Sequence, residues 1–304
     1  CAPEAPEELA GAFFPELGAV VADGTEPRGA AGLLPLAVER YVDLGAYGDA
    51  AALKAKRGEL RRLAEAVLAP QTRVARGLAA ARALADERFD AALDGDVPPI
   101  LARRARGIIA REIRPGGGGA AHKRFLSALT PDGPVCLFET ARELCGRIYE
   151  LNDNYGLAPF LLAPLLAAAL DAGQEAYACY CPLHPEEQLE HLLLPGLDLG
   201  FVSSSDPLPY DGVPFRRMRL DACPDAERIR AQRSRLRFLH KTERALLDDA
   251  AAALGEARTA RERLADCYAA HMDFAAAEAA AERLAAALVG DEGSFLPLTS
   301  PRPV

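Results

Sequence analysis

The chain carries a diverged copy of its own opening, and this limits the possible folds more than any single motif. Residues 1–27 align without a gap on residues 181–207, at a constant offset of 180. Cys1 falls on Cys181, Glu7 on Glu187, Leu9 on Leu189, Pro15 on Pro195, Leu17 on Leu197 and Pro27 on Pro207. Repeated sequence builds a repeated supersecondary unit, so the chain is expected to be two tandem units, the first without its front half. A length of 304 residues agrees with about two domains.

Half of the residues are apolar but only 6% are aromatic. Ala and Leu supply most of that apolar mass, which suits helices packed closely on a modest sheet. The formal charge of −9, with basic and acidic residues interleaved, argues against nucleic acid as a partner. Seven cysteines without regular spacing read as thiols of a reducing compartment. No apolar run is long enough to span a bilayer, and Leu161 to Leu170 is broken by Pro164. A cytoplasmic location without membrane contact is expected. Cys1 needs no lipid anchor to explain it, because it is the repeat partner of Cys181 and the chain is expected to begin mid-gene.

The first repeat is assigned to residues 1–113. Leu17 to Asp23 (LGAVVAD) has the pattern of a buried strand ending at a turn. From Asp49 onward Leu53, Leu60, Leu63, Val67, Val74 and Leu78 follow helical spacing, with Pro70 expected to kink or divide the helix. A second helix is predicted after Pro98-Pro99. Residues 114–120 (RPGGGGA) then read as a linker, since four successive glycines cost too much entropy inside an element. A phosphate-cradling loop there would need a preceding strand and a hydroxyl beside Lys123, and has neither.

The second repeat is assigned to residues 121–304. Strands are predicted at Gly133–Phe138, Arg147–Leu151, Glu175–Cys181, Leu199–Ser203 and Arg217–Leu220, with helices at 157–172 and 185–193. The alternation implies an α/β body with a mainly parallel sheet and flanking helices. A long helical stretch follows Pro224, and Asp273 is placed to cap a final helix. Leu84-Ala85-Asp86 and Leu264-Ala265-Asp266, again 180 apart, suggest that the same helical hairpin closes both repeats.

Within the second repeat, residues 147–170 run strand, tight turn, helix, the order in which a P-loop sits. A working loop supplies glycines, a Lys for the β/γ phosphates and a Ser/Thr for Mg²⁺. Here the turn reads Asn152-Asp153-Asn154-Tyr155-Gly156-Leu157-Ala158. Lys and hydroxyl are both missing, and Asp153 would repel phosphate. These residues mark a degenerate phosphate-loop position.

The chain resembles a group of uncharacterised bacterial tandem-repeat P-loop ATPase-like proteins. The resemblance rests on Phe14-Pro15-Glu16-Leu17 through Ala22-Asp23-Gly24-Thr25-Glu26-Pro27, on Arg124-Phe125 with Ser127-Ala128 and Thr130-Pro131-Asp132-Gly133, and on His271-Met272-Asp273-Phe274. It implies tandem P-loop-NTPase-like repeats, each followed by a helical hairpin, and presumed nucleotide binding. Members of the group carry a complete Lys-Ser/Thr loop in the first repeat, which the offset would place before Cys1.

P-loop NTPases hold Mg²⁺ with a strand-terminal Asp. The first repeat keeps Asp23 there, whereas the second has Ser203. The expectation is therefore ATP with Mg²⁺ at repeat one of an intact protein, Asp23 as its metal-side and catalytic carboxylate, and a pseudo-site in repeat two. Such a protein would be an ATPase, while this chain would be inactive and need no cofactor. A non-catalytic scaffold that binds a protein partner through its helical hairpins is the alternative. A zinc site at Cys179, Cys181, His184 and His191 has irregular spacing, and thiols in a core explain it better. His122, His240 and His271 lack a triad pattern. The Arg103–Arg106 and Arg228–Arg237 runs read as solvated helix faces, with acidic residues such as Glu227 and Glu243 nearby.

Overall fold

The computed structural model describes residues 8–24, 39–114 and 116–290. Cys1 and the Thr25-Glu26-Pro27 end of the repeat motif lie outside them. The chain divides into two compact units, Cys1–Pro70 with Gly255–Val304, and Gln71–Leu254. The expected linker at 114–120 runs between two elements of the second unit.

In the first unit, β1 (Gly11–Phe14) and β2 (Ala19–Ala22) form an antiparallel hairpin, joined by a 3-10 turn at Pro15–Leu17. Helix α1 (Ala50–Ala55) starts where the Asp49 carboxylate accepts the amides of Ala51 and Ala52, both at 3.0 Å. It breaks at Lys56, and α2 (Arg57–Ala92) follows. Pro70 lies inside α2 without dividing it. An isolated bridge joins Gly48 to Met272, and Asp273 donates its amide to the Tyr47 carbonyl at 2.8 Å.

The second unit begins within α2 and continues with α3 (Val97–Glu112), which opens on Pro98-Pro99 as expected. Next come β3 (Ala121–Arg124), a small ribbon of β4 (Ser127–Thr130) and β5 (Gly133–Cys136), and α4 (Phe138–Leu144). β6 (Arg147–Asn152), α5 (Pro159–Asp171), β7 (Ala176–Tyr180), β8 (Leu189–Leu194), β9 (Leu199–Ser204) and β10 (Arg216–Arg219) complete the α/β body. α6 (Ala226–Ala231) and α7 (Arg233–Ala269) follow, and α7 continues into the first unit, where α8 (Phe274–Gly290) closes the described chain. Asp273 caps α8 through the Ala276 amide at 3.0 Å.

The main sheet has the order β10-β6-β9-β8-β7-β3. β8 pairs antiparallel with both neighbours and every other pairing is parallel, so the sheet is mixed and mostly parallel. Residues 185–193, expected as a helix, instead lead into strand β8. Leu189, Leu192, Leu193 and Leu194 are all at most 4% exposed. A strand covered on both faces shows a continuous apolar run, which periodicity cannot tell from a buried helix. One face of the sheet packs Tyr149, Leu151, Leu192, Leu194, Leu199 and Phe201 against α5 and α3. The other packs Ile148, Leu193 and Val202 against Phe138 and Ala141 of α4.

The repeat is visible as structure. β8 and β9 flank a 3-10 turn at Pro195–Leu197, and their register matches that of β1 and β2 at the same offset of 180. Phe14 faces Ala19 where Leu194 faces Leu199, and Ala12 faces Val21 where Leu192 faces Phe201. Each turn closes on a left-handed residue, Gly18 at φ 60° and Asp198 at φ 53°. A Cβ at Gly18 would meet nothing within 4 Å, so Gly18→Ala is expected to cost only the backbone term of about 1–2 kcal/mol. Faster amide exchange across β1 and β2, with the rest of the chain unchanged, would be the observed result.

The helices also recur, but with a shift of 176 residues. Asp225 caps α6 as Asp49 caps α1, Gln232 breaks the helix as Lys56 does, and α7 and α2 run for 37 and 36 residues. At this shift Leu60, Arg61 and Leu63 stand on Leu236, Arg237 and Leu239. Asp86 accordingly stands on Glu262, and the match of Leu84-Ala85-Asp86 to residues 264–266 is not the structural equivalence.

Candidate functional site

Parallel strands β6, β9 and β10 end together, and their following loops meet at that edge. Open α/β sheets bind ligands outside the carboxyl ends of their strands. The turn after β6 is tied to its neighbours: Asp153 donates its amide to the Ser204 carbonyl at 3.0 Å, and Leu220 donates to the Asn152 carbonyl at 2.9 Å. Asn154 donates its amide and its Nδ2 to the two Asp221 carboxylate oxygens at 2.8 and 2.6 Å, and its Oδ1 accepts the Asp206 amide at 3.0 Å. Asn152 Nδ2 donates to Glu150 Oε1 at 3.1 Å. Gly156 holds φ 78°, the left-handed conformation that admits Gly at a tight turn.

Asp153 lies in the turn between β6 and α5. Its Oδ1 accepts the Tyr155 and Leu157 amides at 3.2 and 2.9 Å, and its Oδ2 accepts the Ala158 amide at 2.6 Å. These amides belong to the turn that leads into α5, close to the helix N-terminus, where the dipole favours an anion. The Asp153 carboxyl takes that place itself, charged only above its raised titration point. Burial raises the Asp153 carboxyl to about 6, against the lowering effect of the Leu157 and Ala158 amides. The nearby Asp221 is also raised, first by burial.

Beside this turn lies a cleft of about 560 Å³ lined by Asn154, Tyr155, Asp206 and a basic wall of Arg88, Arg230, Arg233, Arg237 and His240. Ala226, Ile229 and Leu236 form its apolar part. Arg230, Arg233 and Arg237 fall on one side of α6 and the start of α7, and none forms an ion pair among the described residues. All five arginines of the Arg228–Arg237 run are exposed, as expected of a solvated helix face, and three of them line the cleft. Arg235 instead pairs with Glu87, and Arg228 Nε donates to the Ala91 carbonyl at 3.0 Å.

The floor of the cleft is a polar network. Arg88 Nη1 donates to His240 Nδ1 at 3.0 Å and lies 3.2 Å from the buried Glu243 carboxylate. That contact leaves the His240 Nε2 proton for Asp206, at 3.3 Å, and Asp206 also accepts from Arg244 at 3.1 Å. Glu243 is raised by burial despite Arg88, His240 and His184. His184 is held by Asp86 at 2.7 Å, not by a cysteine.

The position equivalent to Asp23 is Ser203. Its hydroxyl donates to the Glu190 carbonyl at 2.6 Å, and its amide donates to His191 Nδ1 at 3.0 Å. No metal carboxylate stands there. The second repeat therefore does not fit ATP with Mg²⁺ at the turn, since Asp153 takes the amides and Ser203 is spent on the backbone. Asp23 itself follows β2 in the first unit, where its amide donates to the Ala10 carbonyl at 2.8 Å. Among the described residues that unit has no strand–turn–helix to hold a phosphate beside it.

Among the described cysteines Cys145, Cys179 and Cys223 are buried, and Cys136, Cys181 and Cys267 are partly buried, all as free thiols. Burial first, then Glu190, pushes Cys179 and Cys181 up to about 12 and Cys136 higher still. Cys136 lies 3.9 Å from His191 Nε2, a dyad disabled by that burial. No group of three His, Cys, Asp or Glu side chains suited to a metal occurs among the described residues, and no described helix is long and apolar enough to cross a membrane.

Sequence reasoning found the turn but missed the cleft, whose parts come from α2, two loops and the α6–α7 break. The break after a capped six-residue helix was the one readable signal, because it aims the arginines on both sides of Gln232 at one place. Compared with protein-family models, curated proteins and solved structures, the chain matches none.

Proposed function

We propose that the second unit is a nucleotide-binding module that holds its ligand in the arginine cleft and does not hydrolyse it. Three arginines without carboxylate partners, set at the carboxyl edge of parallel strands, carry this reading. Guanidinium groups suit phosphate oxygens, and the wall of Tyr155, Ile229 and Leu236 suits a base or another flat apolar group. Asp153 and Ser203 favour binding without turnover, because the turn lacks both free amides and a metal-side oxygen.

Equilibrium binding of a fluorescent ATP analogue is expected to saturate, and the combined change Arg230→Ala, Arg233→Ala and Arg237→Ala to weaken it by about 2,000-fold, at roughly 1.5 kcal/mol for each charged hydrogen bond. No Mg²⁺-dependent hydrolysis is expected. Hydrolysis abolished by Asp23→Ala would sink the non-catalytic reading, and binding indifferent to the three arginines would sink the cleft. In a longer protein that supplied a phosphate loop to the first repeat, Asp23 would be the metal-side carboxylate of an ATPase. A scaffold role remains the second reading, favoured by the exposed apolar side chains of the β1–β2 hairpin.

A further inference from the structure

The two hairpins have the same backbone but different surroundings. In the second unit, β9 takes β6 on its outer edge as a parallel strand, and β8 takes β7 as an antiparallel one. Helices α5 and α4 cover the two faces. Leu193, Leu194 and Phe201 are consequently at most 1% exposed. Among the described residues β1 and β2 pair only with each other. Phe13 and Val20, which face one another across the pair, are 55% and 60% exposed, and Phe14 and Val21 are exposed on the opposite side. A two-stranded ribbon with apolar side chains on both faces and open edges is marginal in water and a template for further pairing.

We propose that the β1–β2 hairpin is a docking surface for a strand–helix–strand segment built like Arg147–Tyr180. The repeat itself specifies this occupant. The identical hairpin in the second unit receives β6 on one edge, α5 on one face and β7 on the other edge, from a single run of chain. The docked segment adds a parallel strand along Ala19–Ala22 and an antiparallel strand along Gly11–Phe14. Its first strand ends beside Asp23, as β6 ends beside Ser203, so its strand–helix turn faces that carboxylate.

The test fuses a duplicate of residues 116–180 directly ahead of Cys1, reproducing the junction of Tyr180 with Cys181. Amides of Ala12, Phe13, Val20 and Val21 are expected to exchange at least 100-fold more slowly in the fusion than in the chain itself. Phe13→Glu with Val20→Glu should abolish that slowing while leaving the circular dichroism of the unfused chain unchanged, because both side chains are exposed there. Unchanged exchange in the fusion, or slowing that survives the double substitution, overturns the proposal. So does an unfused chain that sediments as a dimer and is dissociated by the same substitutions, which would make a second copy the occupant.

Discussion

Asp153→Ala is expected to destabilise the second unit by about 3 kcal/mol at low pH and by much less at neutral pH, the reverse of what a carboxylate in a salt bridge would give. Three amides lose their acceptor, at roughly 1 kcal/mol each. The protonated acid accepts those hydrogen bonds with no charge to bury, so below its unfolded value of 3.8 the full contribution is present. Its folded value is raised to about 6, so the unfolded state loses its proton first as pH rises. Stability from this group then drains away between pH 3.8 and 6, by about 3 kcal/mol at 1.36 kcal/mol per unit. Urea unfolding of both proteins from pH 3.5 to 7.5 measures the difference. A penalty that is flat with pH, or that grows toward neutrality, would show that burial does not control this carboxyl.

The same residue illustrates what a single sequence can reveal. Asp153 was readable as hostile to phosphate from its charge and its place between a strand and a helix. That it replaces the phosphate, through three amides of the following turn, depends on the backbone path through Gly156 and could not be read. Of the hairpin at residues 11–22 only the second strand, ending before Asp23, was legible; it was expected to be buried, yet Val20 and Val21 are exposed because among the described residues β2 pairs only with β1. Strand β8 was not legible, because burial on both faces removes the alternation that marks a strand. The helical repeat was half legible. Its capping aspartates Asp49 and Asp225 are 176 apart, so the shift of four residues between hairpin and helices hides the true pairing in Ala-rich sequence. The cleft was least legible, since Arg88, Asp206 and Arg237 come together only when three separate elements reach one edge of the sheet.

Replacing Arg88 should have the largest effect of any single change in the cleft. Arg88 and Glu243 are 16% and 10% exposed at their side chains, and Nη1 lies 3.2 Å from the carboxylate. Removing one partner of a buried pair strands the other charge, and Arg88→Met is expected to cost about 3–5 kcal/mol at pH 8. Glu243 is already raised by burial with Arg88 in place, and loss of that cation raises it further. The carboxyl of the variant therefore keeps its proton to a higher pH, and the penalty shrinks as pH falls toward 5. His240 sharpens the prediction, because its Nδ1 accepts from Arg88 and would be left facing the apolar Met side chain. The double change Arg88→Met with Glu243→Leu buries neither charge, and is expected to be more stable than Arg88→Met alone by at least 1 kcal/mol. Nucleotide affinity separates the two roles of the arginine: the double variant should recover stability yet still bind more weakly than the parent chain. If stability fails to recover, the ion pair is not what holds Glu243 in the core.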